Sequence, residues 1–142
     1  MGVIHVDGYG DVDYQSVFTD EGIQNCISAM LGDVDISEWY HNIYQNGAIY
    51  YSPSTMIVST GSSSILDDTI IFTSAFDLPI PATGEVIIDK LEICNADGVS
   101  ICYVEFGDSA VTVTGTPEGT VGVTIRDYIQ AFGNDTEPYG RT

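Results

Sequence analysis

The segment Glu85 to Phe106, EVIIDKLEICNADGVSICYVEF, limits the fold more than any other part of the chain. Two runs rich in Val, Ile, Tyr and Phe flank Asn95-Ala96-Asp97-Gly98, residues that tolerate the positive φ of a tight turn, so the pattern predicts an antiparallel hairpin. In the second run Val99, Ile101 and Tyr103 alternate with Cys102, Val104 and Phe106. Both faces are apolar, which predicts a strand covered on both sides. The first run changes phase, with Val86 and Ile88 on one parity and Leu91 and Ile93 on the other. A bulge at Asp89-Lys90 would return these residues to one face.

Around this hairpin the sequence predicts a mainly β domain, an antiparallel β-sandwich of jelly-roll-like type, with one short N-terminal α-helix packed on a sheet. The helix is expected from about Asp20 to Leu31: Thr19 is a good N-cap, Asp20 and Glu21 put negative charge in the first turn, and Gly32 suits the C-terminal stop. Ile23, Cys26, Ile27, Met30 and Leu31 fall on one stripe, and Phe18 is placed to staple onto Ile23. Asn46-Gly47 between Ile43-Tyr44-Gln45 and Ala48 to Tyr51 is a type I′ hairpin signal. Further strands are expected at Thr55 to Thr60, Thr69 to Phe76, Ala110 to Thr114 and Val121 to Ile125, the last continuing through Tyr128 and Ile129. Pro79 and Pro81 are expected to break the ladder. A chain of 142 residues suits one domain, with residues 1–16 as an N-terminal arm or edge strand and 133–142 as an exposed tail.

Charge narrows the partners. The chain has 21 Asp plus Glu against 3 Lys plus Arg, a net charge of -18. Nucleic acid and anionic membrane surfaces are poor partners for such a molecule, since binding phosphate takes several cations. Its self-repulsion is screened within about 3 Å at 1 M salt, so a saline medium suits it. Met1 to Asp7 lacks the basic and long apolar regions of a signal peptide, and no apolar run approaches the ~20 residues of a membrane helix. Cys26, Cys94 and Cys102 are odd in number and lack CxxC spacing, which favours buried free thiols.

Few residues carry chemistry. His5 and His41 are the only imidazoles and neither has metal-ligand spacing; there is no GxSxG elbow and no phosphate-binding glycine loop. No catalytic residue and no cofactor is expected, and the chain reads as a non-enzyme. Asp7, Asp11 and Asp13 in a glycine-rich stretch are either a solvated loop or a weak oxygen-ligand set for Ca²⁺ or another cation. Trp39, Tyr40 and Tyr44 either cover one end of the core or anchor an interface, with sugar stacking as a third use, and Ile4 belongs to the candidate arm on a neighbouring subunit. Asn134-Asp135-Thr136 matches a glycosylation sequon.

The order of pieces resembles small structural proteins of tailed viruses, the head-decoration and tail-fibre or tail-collar type. The resemblance is carried by the capped helix Phe18 to Ile27, the strand and loop Met56 to Ser62, the segment Ile88 to Gly98 and the Val/Thr strands Val111 to Val113 and Val121 to Ile125. Where such proteins tend to have Glu-x-Gly-Leu, this chain has Lys90-Leu91-Glu92-Ile93. The resemblance implies a non-enzymatic virion component, homo-oligomeric and often trimeric, that binds other virion proteins and is extracellular after release from its host. A carbohydrate- or Ca²⁺-binding β-sandwich using Trp39, Tyr40 and Tyr44, or an extracellular filament subunit, are the alternatives.

Overall fold

The computed structural model describes residues 2–30, 33, 36, 38–53, 57–59 and 69–130. Strands β1 (Gly2–Val6), β2 (Gly10–Tyr14) and β3 (Val17–Phe18) precede helix α1 (Asp20–Met30). Then follow β4 (Tyr40–Gln45), β5 (Ala48–Tyr51), β6 (Ile57–Ser59), β7 (Thr69–Pro79), β8 (Glu85–Ile88), β9 (Lys90–Cys94) and β10 (Ser100–Glu105). A 3₁₀ turn at Gly107–Ser109 leads to β11 (Val111–Thr114) and β12 (Thr120–Gln130). The described residues are mainly β, with three antiparallel sheets and one α-helix. The first sheet has the order β2-β1-β12-β7-β6, the second β3-β10-β9-β4-β5, and β11 pairs with β8 in the third. The helix therefore follows three strands instead of opening the chain, because residues 2–14 already form a hairpin inside the first sheet. The candidate arm is part of that sheet: β1 lies between β2 and β12, and Ile4 is fully buried.

The expected central hairpin is present as β9 and β10, and it is the tip of a much longer ribbon. From that tip β8 pairs with β11 and β7 with β12, so residues 69–94 run antiparallel to 100–130. The corner between the two outer pairs keeps its register: Glu85 faces Thr114 and Pro79 faces Thr120. The two connecting loops hydrogen-bond to each other there, Ile80 N to Gly119 O at 2.9 Å and Gly115 N to Gly84 O at 3.1 Å. Val111–Thr114 and Thr120–Gln130, adjacent in sequence, thus pair with the opposite arm and not with each other. The ladder of β7 ends at Pro79, as the sequence predicts: it is the last residue of the strand, where a missing donor costs little.

The phase change at Asp89-Lys90 is a change of sheet and not a bulge. β8 ends at Ile88 in the third sheet and β9 begins at Lys90 in the second, so Val86, Ile88, Leu91 and Ile93 are all buried. Asp89 holds the crossing, its N–H donating to Tyr44 O at 3.0 Å and its Oδ2 accepting from Asn46 N at 2.6 Å. The register irregularity of the hairpin sits instead between Ser100 and Cys102, which lets Ile101 and Cys102 both be buried. Asn95 closes the turn, its Oδ1 accepting from Asp97 N and Val99 N, with Gly98 at φ 83°. Asn46 and Gly47 have φ 54° and 76°, as a type I′ turn requires.

Two hydrophobic clusters fill the interior. One joins residues of all three sheets, among them Ile4, Ile125, Ile43, Leu91, Ile88 and Val113. The other sits under α1 and combines Ile23, Cys26 and Ala29 with Ile101, Phe72, Ile129 and Trp39. The helix is capped as the sequence predicts: Thr19 Oγ1 accepts from Gly22 N at 2.8 Å. It also donates to Ser100 O at 2.6 Å, which ties the helix start to β10. Phe18 packs against the same cluster as Ile23. The strand at 55–60 is described only over Ile57–Ser59, and the tail lies outside the described residues.

Helix propensity favours Ala over Gly by about 1 kcal/mol. At Gly22, however, a Cβ would collide with the backbone oxygen of Ile101. Overpacking against backbone wins, so Gly22→Ala is expected to lose about 1–3 kcal/mol net in denaturant unfolding at molar salt.

Candidate functional site

The most concentrated polar chemistry lies inside the molecule. His41 on β4, in the second sheet, faces Ser74 on β7 and Asp127 on β12, in the first. His41 Nε2 is 2.7 Å from Asp127 Oδ2 and Nδ1 is 2.7 Å from Ser74 Oγ. Tyr14 on β2 donates its hydroxyl to Asp127 Oδ1 at 2.8 Å. A carboxylate offers only acceptors, so Nε2–H donates to it. Nδ1 then accepts from the Ser74 hydroxyl when the ring is neutral and donates to it when the ring is charged. Every polar atom of the three side chains around His41 has a partner. Burial of the phenol, reinforced by the neighbouring Asp127, pushes the Tyr14 pKa well above its ordinary value.

Ser, His and Asp in mutual contact are the components of a nucleophilic triad, but the geometry differs from one. In a hydrolase Nε2 meets the serine and Nδ1 the acid; here the two nitrogens are exchanged. Ser74 is 0% exposed, His41 1% and Asp127 4%. The arrangement satisfies a buried acid and links two sheets, and Ser74 Oγ has no open face to a substrate.

A second polar group covers the outer face of the second sheet. Tyr40, Asn42 and Tyr44 alternate with the inward His41 and Ile43, beside Lys90 and Glu92 of β9 and Tyr103 of β10. Tyr44 OH donates to Glu92 Oε1 at 2.7 Å and Asn42 Nδ2 donates to the same oxygen at 3.2 Å. Burial works against the Glu92 charge, but these hydrogen bonds outweigh it and hold the carboxyl below its usual value. Lys90 Nζ stands 4.7 Å from the Tyr44 ring centre and 5.0 Å from that of Tyr103, a cation–π arrangement. Trp39 is not on this face: it is 2% exposed and stacks on Phe72 at 5.3 Å, in the core.

The acidic N-terminal stretch turns around His5. Its imidazole lies 2.5 Å from Asp11 and 3.3 Å from Asp7 on the exposed side of the first sheet. Asp13 shares that face and lies opposite Val3. Among the described residues no three His, Cys, Asp or Glu are grouped to hold a metal ion. The hydrogen bond to Asp11 raises the His5 pKa above its ordinary value. The three cysteines are free and buried, and burial pushes Cys26 and Cys94 up to about 12. Among the described residues no helix is long and apolar enough to cross a membrane.

His41, Ser74, Asp127 and Tyr14 were not legible as a group, although each left a trace. Asp127 continues the inward series Val123, Ile125, Ile129, and Ser74 continues Ile70 and Phe72. A polar residue at a core parity predicts a buried partner, but not which one. No protein family, curated protein or solved structure matches this chain.

Removing one member of this group leaves its partners buried and unsatisfied, at about 1–3 kcal/mol for each. Asp127→Ala is expected to lose stability in that range, whereas joint replacement of His41, Ser74 and Asp127 by apolar residues of similar volume loses much less; chemical denaturation of both variants decides. On the surface, the His5 imidazole should titrate above about 6.5 by NMR and fall back toward it in Asp11→Asn. Its contribution to stability is full below about 6.5 and is lost as pH rises through the raised folded value.

Proposed function

We propose that this chain is a non-enzymatic structural subunit with a jelly-roll-like β-sandwich fold, acting as a capsid-decoration or tail-fibre component of a virion. The observation that carries the non-enzymatic part is the placement of the Ser74–His41–Asp127 group. The residues best suited to catalysis are spent inside the core, joining two sheets. The nested pairing of residues 69–94 with 100–130 supports the jelly-roll reading, since a long antiparallel ribbon folded across two sheets generates that topology. The virion assignment rests on the sequence resemblance and on a surface charge of one sign suited to a saline medium. Its partners are then further copies of itself and other virion proteins.

A second reading, a saccharide-binding module, draws on Tyr40, Tyr44 and Tyr103 beside Glu92 and Asn42 on one sheet face. It loses Trp39, which is in the core. Light scattering on a sizing column, at low and at molar salt, separates the two. A discrete oligomer that persists or tightens at molar salt is expected for the assembly subunit, because its like charges are then screened within about 3 Å. A monomer under both conditions that binds immobilised glycans, and loses them in Tyr44→Ala, would favour the module. An active-site fluorophosphonate should leave Ser74 unlabelled in the folded protein; labelling would overturn the non-enzymatic reading.

A further inference from the structure

Charge is distributed unevenly along this chain. From Trp39 to Leu66 there is no Asp, Glu, Lys or Arg, in a protein with 21 acidic residues. That segment contains β4, β5 and β6, and it places β5 at one edge of the second sheet. An edge strand presents unpaired N–H and C=O groups, and proteins normally guard it with charge, proline or brevity. The other edges of the two five-stranded sheets are guarded, and β11, the uncharged strand of the two-stranded sheet, buries both of its valines. β2 carries Asp11 and Asp13, β3 is two residues long and β6 is three. β5, Ala48-Ile49-Tyr50-Tyr51, has no charge and no proline; Ala48 is exposed and Ile49 is 55% exposed. Among the described residues β5 pairs with β4 alone. The carboxylate beside the turn that enters it, Asp89, is engaged internally with Asn46 N.

We infer that β5 is a docking strand through which two copies of this chain pair antiparallel, edge to edge, to form one continuous sheet. The occupant is a second copy for an electrostatic reason. Two molecules of net charge -18 repel everywhere that carboxylates face each other, so the least costly approach is along a stretch that has none. A second β5 brings no carboxylate to the contact, and an antiparallel pair of identical strands is self-complementary and closes about a two-fold axis. Ile49 of each copy then leaves water on association. This inference rests on the self-assembly reading and names the surface that carries it.

The test is the molar mass in molar salt of the wild-type chain, of Ile49→Lys and Ala48→Lys, and of Asp13→Asn at the opposite edge, each checked for native far-UV circular dichroism. Wild type is expected at an even multiple of the chain mass. Each Lys variant is expected to halve it, with Asp13→Asn unchanged. Both substituted side chains are exposed, and if one variant fails to fold the other decides. A trimer, or any odd assembly, overturns the two-fold pairing. An oligomer unchanged in both Lys variants overturns the β5 surface but leaves the assembly reading standing. A wild-type monomer at every salt concentration overturns both.

Discussion

The pairing of β7 with β12 over their whole length is the constraint on which the rest of this molecule hangs. It joins the middle of the chain to its later part in one register from Thr69–Gln130 to Pro79–Thr120, and that register passes unbroken through the corner to β8 and β11. Because residues one apart on a strand point to opposite faces, this single alignment decides which side chains of four strands enter the core. Ile125 and Ile88 go inward together for that reason. β1 completes the first sheet on the far side of β12, and the Asn95 turn closes the ribbon at its tip.

Hydrophobic burial holds the sheets together but is indifferent to small slips between them. The His41 contacts are directional. Its two ring nitrogens meet groups on two different strands of the first sheet, and Asp127 is held in turn by Tyr14 from a third. Sliding one sheet by a residue would leave a buried acid and an imidazole unpaired, at a cost of several kcal/mol. The group adds little to net stability over an apolar replacement, and more to the choice of one alignment. Glu92 performs a comparable service at the surface, ordering Tyr44 and Asn42 across two strands. Its depressed pKa means this contribution is present above about 4.3 and is lost as pH falls through the folded value.

Local features were readable from the residues alone. The Thr19 cap, the helix stripe, the Asn46-Gly47 turn and the Asn95 to Gly98 turn each depend on neighbours within a few positions. What escaped depends on distant partners. β1 has the composition of an edge strand, and its interior position follows from Gly2 meeting Asp127. The parity slip at Asp89 fits a bulge or a change of sheet equally, and only Tyr44 and Asn46 distinguish them. Trp39 sits in a stretch whose residue pattern gives no face, and its place in the core is set by Phe72. Of the candidate site residues, Asp7 and Asp11 converge on His5, Tyr40 and Tyr44 share an outer face, and Ile4 and Trp39 are interior. The His41 group was invisible because its four members come from four strands.

The position of β12 also governs when this protein can fold. On a ribosome β1 and β2 emerge long before β12, so β1 then has only β2 beside it. Its other neighbour, and the neighbour of β7, is the strand ending at Gln130. Until that strand leaves the exit tunnel the first sheet has a gap at its centre, and Asp127 is not there to receive His41 or Tyr14. Contacts of such long sequence separation form slowly. Folding of the first sheet therefore waits for β12, and the nascent chain must remain soluble meanwhile, a task for which its dense negative charge is well suited.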